Sequence, residues 1–257
     1  FPTRRSSDLK MLSYSICESK RTQMDTSKTA DVRVNDSFLA PLERPALQWL
    51  CKHMPAWMTP DILTVIGLIG GVVMAIGYWL CNVNRNFLWV VDLGLVINWF
   101  GDSLDGSLAR YRGIERFKYG YFVDHTVDIT TQNIFFLGLG LSPFVHFNFA
   151  LLALVGYLHL GILTYINTAV SGVYKISYGK IGPTEVRVFL LGVNAIFYFG
   201  TNPLINLGSV SISSFDAIVL CVAIAFFLHF LGFTLRRMME LKVQDPPKGN
   251  PLQSQSY

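Results

Sequence analysis

The stretch GDSLDGSLARYRGIERFKYGYFVDHTVD, residues 101–128, carries four aspartates, Asp102, Asp105, Asp124 and Asp128, where apolar segments meet a short basic loop. At 3.6 residues per turn, Asp102 and Asp105 share one face of a helix, and Gly120, Asp124 and Asp128 share one face of the next. Two helices therefore each present a carboxylate pair. Four facing carboxylates at the edge of a low-dielectric region repel one another and stay ionised only if divalent cations hold them. Ligation by oxygen alone, with no Cys or His in the set, points to Mg²⁺ or Mn²⁺ rather than zinc. Two such cations between carboxylates and substrate phosphates are a known means of stabilising a phosphoryl-type displacement. His125 adjoins Asp124 but points about 100° away around the helix, outside the metal set.

The surroundings of this stretch decide the fold class. The chain is 51% hydrophobic and only 15% charged, with a mean hydropathy of +0.40, which excludes an ordinary soluble domain. A spanning helix needs roughly 20 apolar residues, and six segments qualify: Pro60–Leu80, Phe87–Arg110, Tyr119–Leu141, Phe149–Val170, Thr184–Phe199 and Phe215–Leu235. The fifth is the shortest. The expectation is an all-α polytopic membrane protein, a six-helix bundle over residues 59–240.

Lysines and arginines outside these spans lie almost entirely on one side. Nine precede Pro60, Arg110, Arg112, Arg116 and Lys118 fill the loop between the second and third spans, Lys175, Lys180 and Arg187 follow the fourth, and Arg236, Arg237, Lys242 and Lys248 end the chain. The other side has Arg85 alone. By the positive-inside rule, both termini and the motif loop face the cytosol. The net charge of +4 follows from this asymmetry and suits an anionic inner leaflet. No nucleic-acid-binding motif accompanies it, so nucleic acid is not an expected partner.

Residues 1–9, FPTRRSSDL, match the translation of a common sequencing adaptor and are set aside from fold reasoning, with Met11 or Met24 as the expected natural start. The polar segment that follows, through residue 37, reads as a disordered cytosolic arm without a signal peptide. Over 38–58, Leu39, Leu42, Ala46, Leu50, Met54 and Trp57 recur at helical spacing between Glu43, Arg44, Gln48 and Lys52, the pattern of an interfacial amphipathic helix whose first turn suits Pro45. Residues 241–257 are polar and Pro-rich, the composition of a disordered tail. Cys17, Cys51, Cys81 and Cys221 have no metal-ligand spacing and read as packing or incidental thiols, with a Cys81–Cys221 pairing unsupported.

The order Asp102, Asp105, Gly106, Ala109, Arg110, Gly120, Asp124, Asp128 resembles the signature of the CDP-alcohol phosphotransferase family at all eight positions. The resemblance extends over about residues 39–240 and implies a transferase that moves a substituted phosphate from a CDP-alcohol to an acceptor hydroxyl, releasing CMP. It implies that Asp102, Asp105 and Asp124 bind two metal ions, and that Asp128 contacts the second metal and takes the proton from the acceptor. Gly106, Ala109 and Gly120 either make room for a flat cytosine ring or simply let helices pack closely. Arg110 stands where the pyrophosphate would lie. In the TPDILT stretch, Asp61 either lines the nucleotide site or complements the helix dipole. Lys175, Lys180, Glu185 and Arg187 lie in the region from which the family builds its acceptor pocket, and the same charges also serve topology. A six-span chain fits the branch that uses CDP-diacylglycerol with a small polar alcohol better than the longer enzymes acting on lipid acceptors. Homodimers are frequent in the family.

Other polar residues within the spans are read more plainly. Asp92, near the outer end of the second span, reaches water, and His159 and His229 are packing residues. An ion-coupled transporter also binds cations through intramembrane acids, but it calls for broken helices or inverted repeats, and neither is evident.

Overall fold

In the computed structural model, which describes residues 38–171, 182–207 and 210–246, seven α-helices follow one another. They are α1 (Ala40–His53), α2 (Pro60–Leu80), α3 (Leu88–Arg112, entered through a 3₁₀ turn Arg85–Phe87), α4 (Phe117–Gly140), α5 (Phe147–Ser171), α6 (Pro183–Phe199) and α7 (Ser214–Gln244). The six segments read as spans coincide with α2 to α7. Four of them, α2, α3 with its 3₁₀ turn, α5 and α7, are long and apolar enough to cross a membrane. The other two differ for physical reasons. α4 carries Lys118, Asp124 and Asp128, while the 17 residues of α6, at about 1.5 Å each, fall short of a ~30 Å hydrocarbon core.

Three local expectations need correction. A two-stranded antiparallel hairpin, β1 (Leu204–Leu207) and β2 (Val210–Ser213), joins α6 to α7, with Leu204 opposite Ser213. The all-α reading overlooked it because the alternating run VSIS is too short to stand out. The second span ends two residues beyond Arg110, at Arg112, and is capped by Gly113, whose φ of 65° allows the left-handed conformation. The segment expected to be disordered from residue 241 begins as helix, since α7 runs to Gln244. The arm before residue 38 and the tail beyond residue 246 lie outside the described residues. Cys81 and Cys221 are both free thiols, one buried and one exposed.

The closest helix contact is between α2 and α3. A Cβ placed on Gly101 would lie 2.2 Å from the Gly67 backbone nitrogen, and one on Gly70 would lie 2.4 Å from the nitrogen of Asn98. Glycine is needed there because backbone meets backbone. The consequence is that Thr64 and Gly67 of α2 stand directly beside the aspartates of α3. We expect Gly101→Ala to destabilise the protein by about 2 kcal/mol, the scale of overpacking in a tight interface. Thermal melting in detergent checks this, and an unchanged midpoint would show that the two helices can part without cost.

Two apolar clusters flank this contact. Leu63, Leu104, Leu108 and Cys51 form one beneath the motif, covered by Leu47 and Leu50 of α1 and by Met54 just after it. The larger one gathers Met74, Tyr78, Val91, Phe135, Phe197 and Phe215 among others at the opposite end. Within it runs a buried polar chain: Tyr78 donates to Asn194 at 2.7 Å, and Asn194 donates to Asp92 at 2.7 Å. Asp92 is therefore held by a partner on α6 rather than simply reaching water. Outward-facing Ile69, Leu93, Leu228 and Leu231 stay exposed, as lipid-facing positions on a membrane bundle do.

α1 rests on the bundle through the face that carries Ala40, Glu43 and Cys51. It begins at Ala40, with Pro41 in the first turn and Pro45 inside the helix. Leu42 is 77% exposed while Ala40 and Cys51 are buried. Glu43 decides this rotation, since its Oε1 accepts hydrogen bonds from Trp99 Nε1 and Thr184 Oγ1, each at 2.8 Å, linking α1 to α3 and α6.

Candidate metal and phosphate site

The four motif aspartates line one cleft together with Thr64, Gly67, Asn98, Val127 and Thr131. Asp102 comes from α3, Asp124 and Asp128 from successive turns of α4. Carboxylate oxygens of these three lie within 4.8 Å of one another. Three anionic oxygens so close, with no Cys or His among them, suit a hard divalent cation. Asp105 lines the same cleft but is turned toward α2, where its Oδ2 accepts the Thr64 hydroxyl at 2.7 Å and its Oδ1 accepts the Gly106 N–H. The donor from Thr64 orients this buried carboxylate. Thr64 also bonds the Pro60 carbonyl at 3.1 Å.

A cation from a distant part of the chain enters the site. Arg187 of α6 pairs through Nη2 with Asp102 Oδ2, its side chain only 13% exposed. Its Nε donates to Asn98 Oδ1 at 3.0 Å, and the Asn98 amide donates in turn to the Gly67 carbonyl at 3.0 Å. Asn98 stands one helical turn before Asp102, so its place on the same face was legible from spacing; its partners were not.

The remaining candidates separate into two groups. Gly120 is exposed with open space around its Cα, room that a bulky ligand could use, while Gly106 and Ala109 are half-buried on α3. Arg110 is exposed and bonds Ser107 Oγ at 3.2 Å. Asp61 is engaged by Arg116, whose Nη2 donates to both carboxylate oxygens at 2.6 and 2.7 Å, with Arg116 also stacked over Tyr119. That carboxylate raises the affinity of the exposed guanidinium for its proton. The pair ties the start of α2 to the loop between α3 and α4.

Glu185 is turned away from the cleft. Its Oε2 accepts the Gly182 N–H at 2.9 Å and its Oε1 accepts the Leu39 N–H at 2.6 Å, so it caps α6 and anchors the entry to α1. These bonds hold the Glu185 carboxylate, a residue expected at the acceptor pocket, at the junction of α1 and α6. Lys175 and Lys180 lie outside the described residues. Arg112, unassigned from sequence, donates to the carbonyls of Met54, Pro55 and Met58, fastening the α1–α2 linker to the end of α3. His125 is buried against Tyr121 and Tyr165, with Nδ1 3.4 Å from Asp124 Oδ2.

The backbone resembles solved structures of the phosphatidylinositol phosphate synthase of Mycobacterium tuberculosis. One contains manganese and citrate, with a TM-score of 0.51 at 20% identity over 73% of this chain and 85% of that one; another has CDP-DAG bound, with the same TM-score. In sequence, the chain is 37% identical over 86 residues to a phosphatidylinositol phosphate synthase of Cutibacterium acnes, covering 34% of this chain and 39% of that protein. It is 28% identical over 163 residues to an archaetidylinositol phosphate synthase of Pyrococcus horikoshii, covering 62% of this chain and 84% of the relative. It is 28% identical over 175 residues to human cholinephosphotransferase 1, covering 64% of this chain and 42% of the human protein. The chain thus spans about two fifths of the length of the first and third relatives. The CDP-alcohol phosphatidyltransferase profile matches residues 57–234, well over half of the sequence and including every motif aspartate, and the chain belongs to that family.

Proposed function

We propose that this protein is an integral-membrane transferase that moves a substituted phosphate from a CDP-alcohol to an acceptor hydroxyl and releases CMP. The observation that carries this reading is the aspartate trio, with oxygens within 4.8 Å of one another between α3 and α4, inside the stretch that the family profile matches. Asp102, Asp124 and Asp128 would hold divalent metal, Mg²⁺ or Mn²⁺, with Asp105 contributing from the same cleft; two ions are inferred. When bound, such cations polarise the phosphate under attack and neutralise the charge of the leaving group.

The chain's own residues supply the rest. The Asp128 carboxylate accepts the acceptor's hydroxyl proton; the freed oxygen bonds to phosphorus while the bond from phosphorus to the CMP oxygen breaks. Thr64 keeps Asp105 oriented, and Asn98 keeps Arg187 beside Asp102. Gly106, Ala109 and Gly120 leave room for the nucleotide, with Arg110 and Asp61 at its edge. Arg187 contributes positive charge where a phosphate-bearing acceptor or the donor phosphates would lie, and we retain Lys175, Lys180 and Glu185 with it as acceptor-binding candidates.

The proposed donor is CDP-diacylglycerol, supported by the CDP-DAG held by the mycobacterial neighbour and by the phosphatidylinositol phosphate and archaetidylinositol phosphate synthases among the relatives. The similarity to cholinephosphotransferase favours a second reading, in which a CDP-choline type donor serves a lipid alcohol. Purified protein incubated with labelled CDP-diacylglycerol or CDP-choline and a panel of alcohols decides between them. CMP release from CDP-diacylglycerol with a small polar alcohol is expected, and release from neither donor would refute the transferase reading.

We also propose six membrane crossings, with both termini and the cleft on the cytosolic side. Exposed Leu42 and Trp49 of α1 would lie at the interface. The 31 residues of α7 exceed a bilayer core, and Arg236, Arg237 and Lys242 occupy the excess at its C-terminal end. Reporter fusions after Leu241 and within residues 142–148 should therefore report opposite sides. Agreement between them would refute six crossings. We retain a homodimer as a candidate assembly.

A further inference from the structure

Asp102 would be shared between two cations. One of its oxygens accepts from Arg187, while the same carboxylate belongs to the trio that suits a divalent ion. A guanidinium beside a metal ion is repelled strongly in a site shielded from water. Arg187 is also built to survive the loss of Asp102. Its Nε is held by neutral Asn98, and Asn98 is 8% exposed and locked in turn by the Gly67 carbonyl. Its Nη1 is buried without a hydrogen-bond partner, an under-satisfied donor that an anionic oxygen would stabilise.

We propose that Arg187 and the divalent cation compete for Asp102, with Asn98 as the pivot, so that metal loading releases the guanidinium for an anionic oxygen of the substrate. This rests on the metal-binding reading of the aspartate trio. Arg187 then links two events that would otherwise be independent: metal draws Asp102 away, and the freed Nη2 joins Nη1 as a planar donor pair suited to phosphate. By linkage, an anion on Arg187 tightens metal binding by the factor by which metal tightens anion binding.

The test is direct Mn²⁺ binding, followed by electron paramagnetic resonance on full-length protein in lipid nanodiscs. Arg187→Gln should bind Mn²⁺ at least ~10-fold more tightly than wild type, because a full positive charge leaves a poorly screened site. Arg187→Lys, which keeps the charge, should stay near the wild-type affinity. In parallel, wild-type protein is treated with an arginine-directed dicarbonyl reagent and the adduct on Arg187 is quantified by mass spectrometry. Mn²⁺ should increase that adduct several-fold, a readout that needs no variant to fold. Absence of Mn²⁺ binding by wild type removes the metal site and the exchange with it. Binding that is intact in wild type but unchanged or weaker in Arg187→Gln, or an Arg187 adduct that Mn²⁺ leaves unchanged or lowers, overturns the exchange alone.

Discussion

Asp128→Asn is expected to lower transfer at least ~10²-fold, the usual cost of losing a general base, while leaving donor binding largely in place. Asparagine keeps the shape and one oxygen of aspartate but cannot take the acceptor's proton. Asp128 lies one turn beyond Asp124 on α4 and shares the trio with Asp102. Asp102→Asn should behave differently. It removes a charged ligand from the trio and leaves Arg187 with a neutral partner, so both metal and CDP-alcohol affinity should weaken along with turnover. Asp105→Asn should also weaken both, though the Thr64 hydroxyl would still find an oxygen acceptor there. Titrating CDP-diacylglycerol against each variant at fixed Mg²⁺, with turnover measured alongside, separates the roles. If Asp128→Asn loses donor affinity as severely as Asp102→Asn, Asp128 is a metal ligand only and the proton leaves by another route.

Removal of divalent metal should abolish activity altogether. A chelator is expected to take turnover below detection, and Mg²⁺ or Mn²⁺ should restore it, because three carboxylates within 4.8 Å of one another repel unless a divalent charge offsets them. Stability should report the same event. A cation at a hundred times its dissociation constant adds about 2.7 kcal/mol to the folded state, a clear rise in melting temperature that Asp102→Asn should blunt. Full turnover in metal-free buffer would refute the metal mechanism, and a melting point indifferent to Mn²⁺ would refute binding at the trio.

Much of this was legible in the residues of 101–128. Helical periodicity is a local property, so the spacing of Asp124 and Asp128 is enough to place both on one face of α4. Hydropathy located every long helix to within a few residues, except at the end of α7, because burial in lipid demands long apolar runs whatever the neighbours are. The contacts that α1 makes were not legible, since its periodic stripe could not show that Glu43 would find Trp99 and Thr184.

What only the tertiary structure decided is which side chains meet across helices. Arg187 lies 85 residues from Asp102, and nothing in local spacing says that α6 brings it there. Asn98 and Thr64 acquire their roles because glycines at 67, 70 and 101 let α2 and α3 touch backbone to backbone. The partners of Glu185 and Asp61 were equally illegible: backbone N–H groups engage the first and Arg116 the second. A carboxylate's role depends on the donor that reaches it first, and that depends on helix rotation and approach, which are set by packing over the whole bundle rather than by the residues on either side.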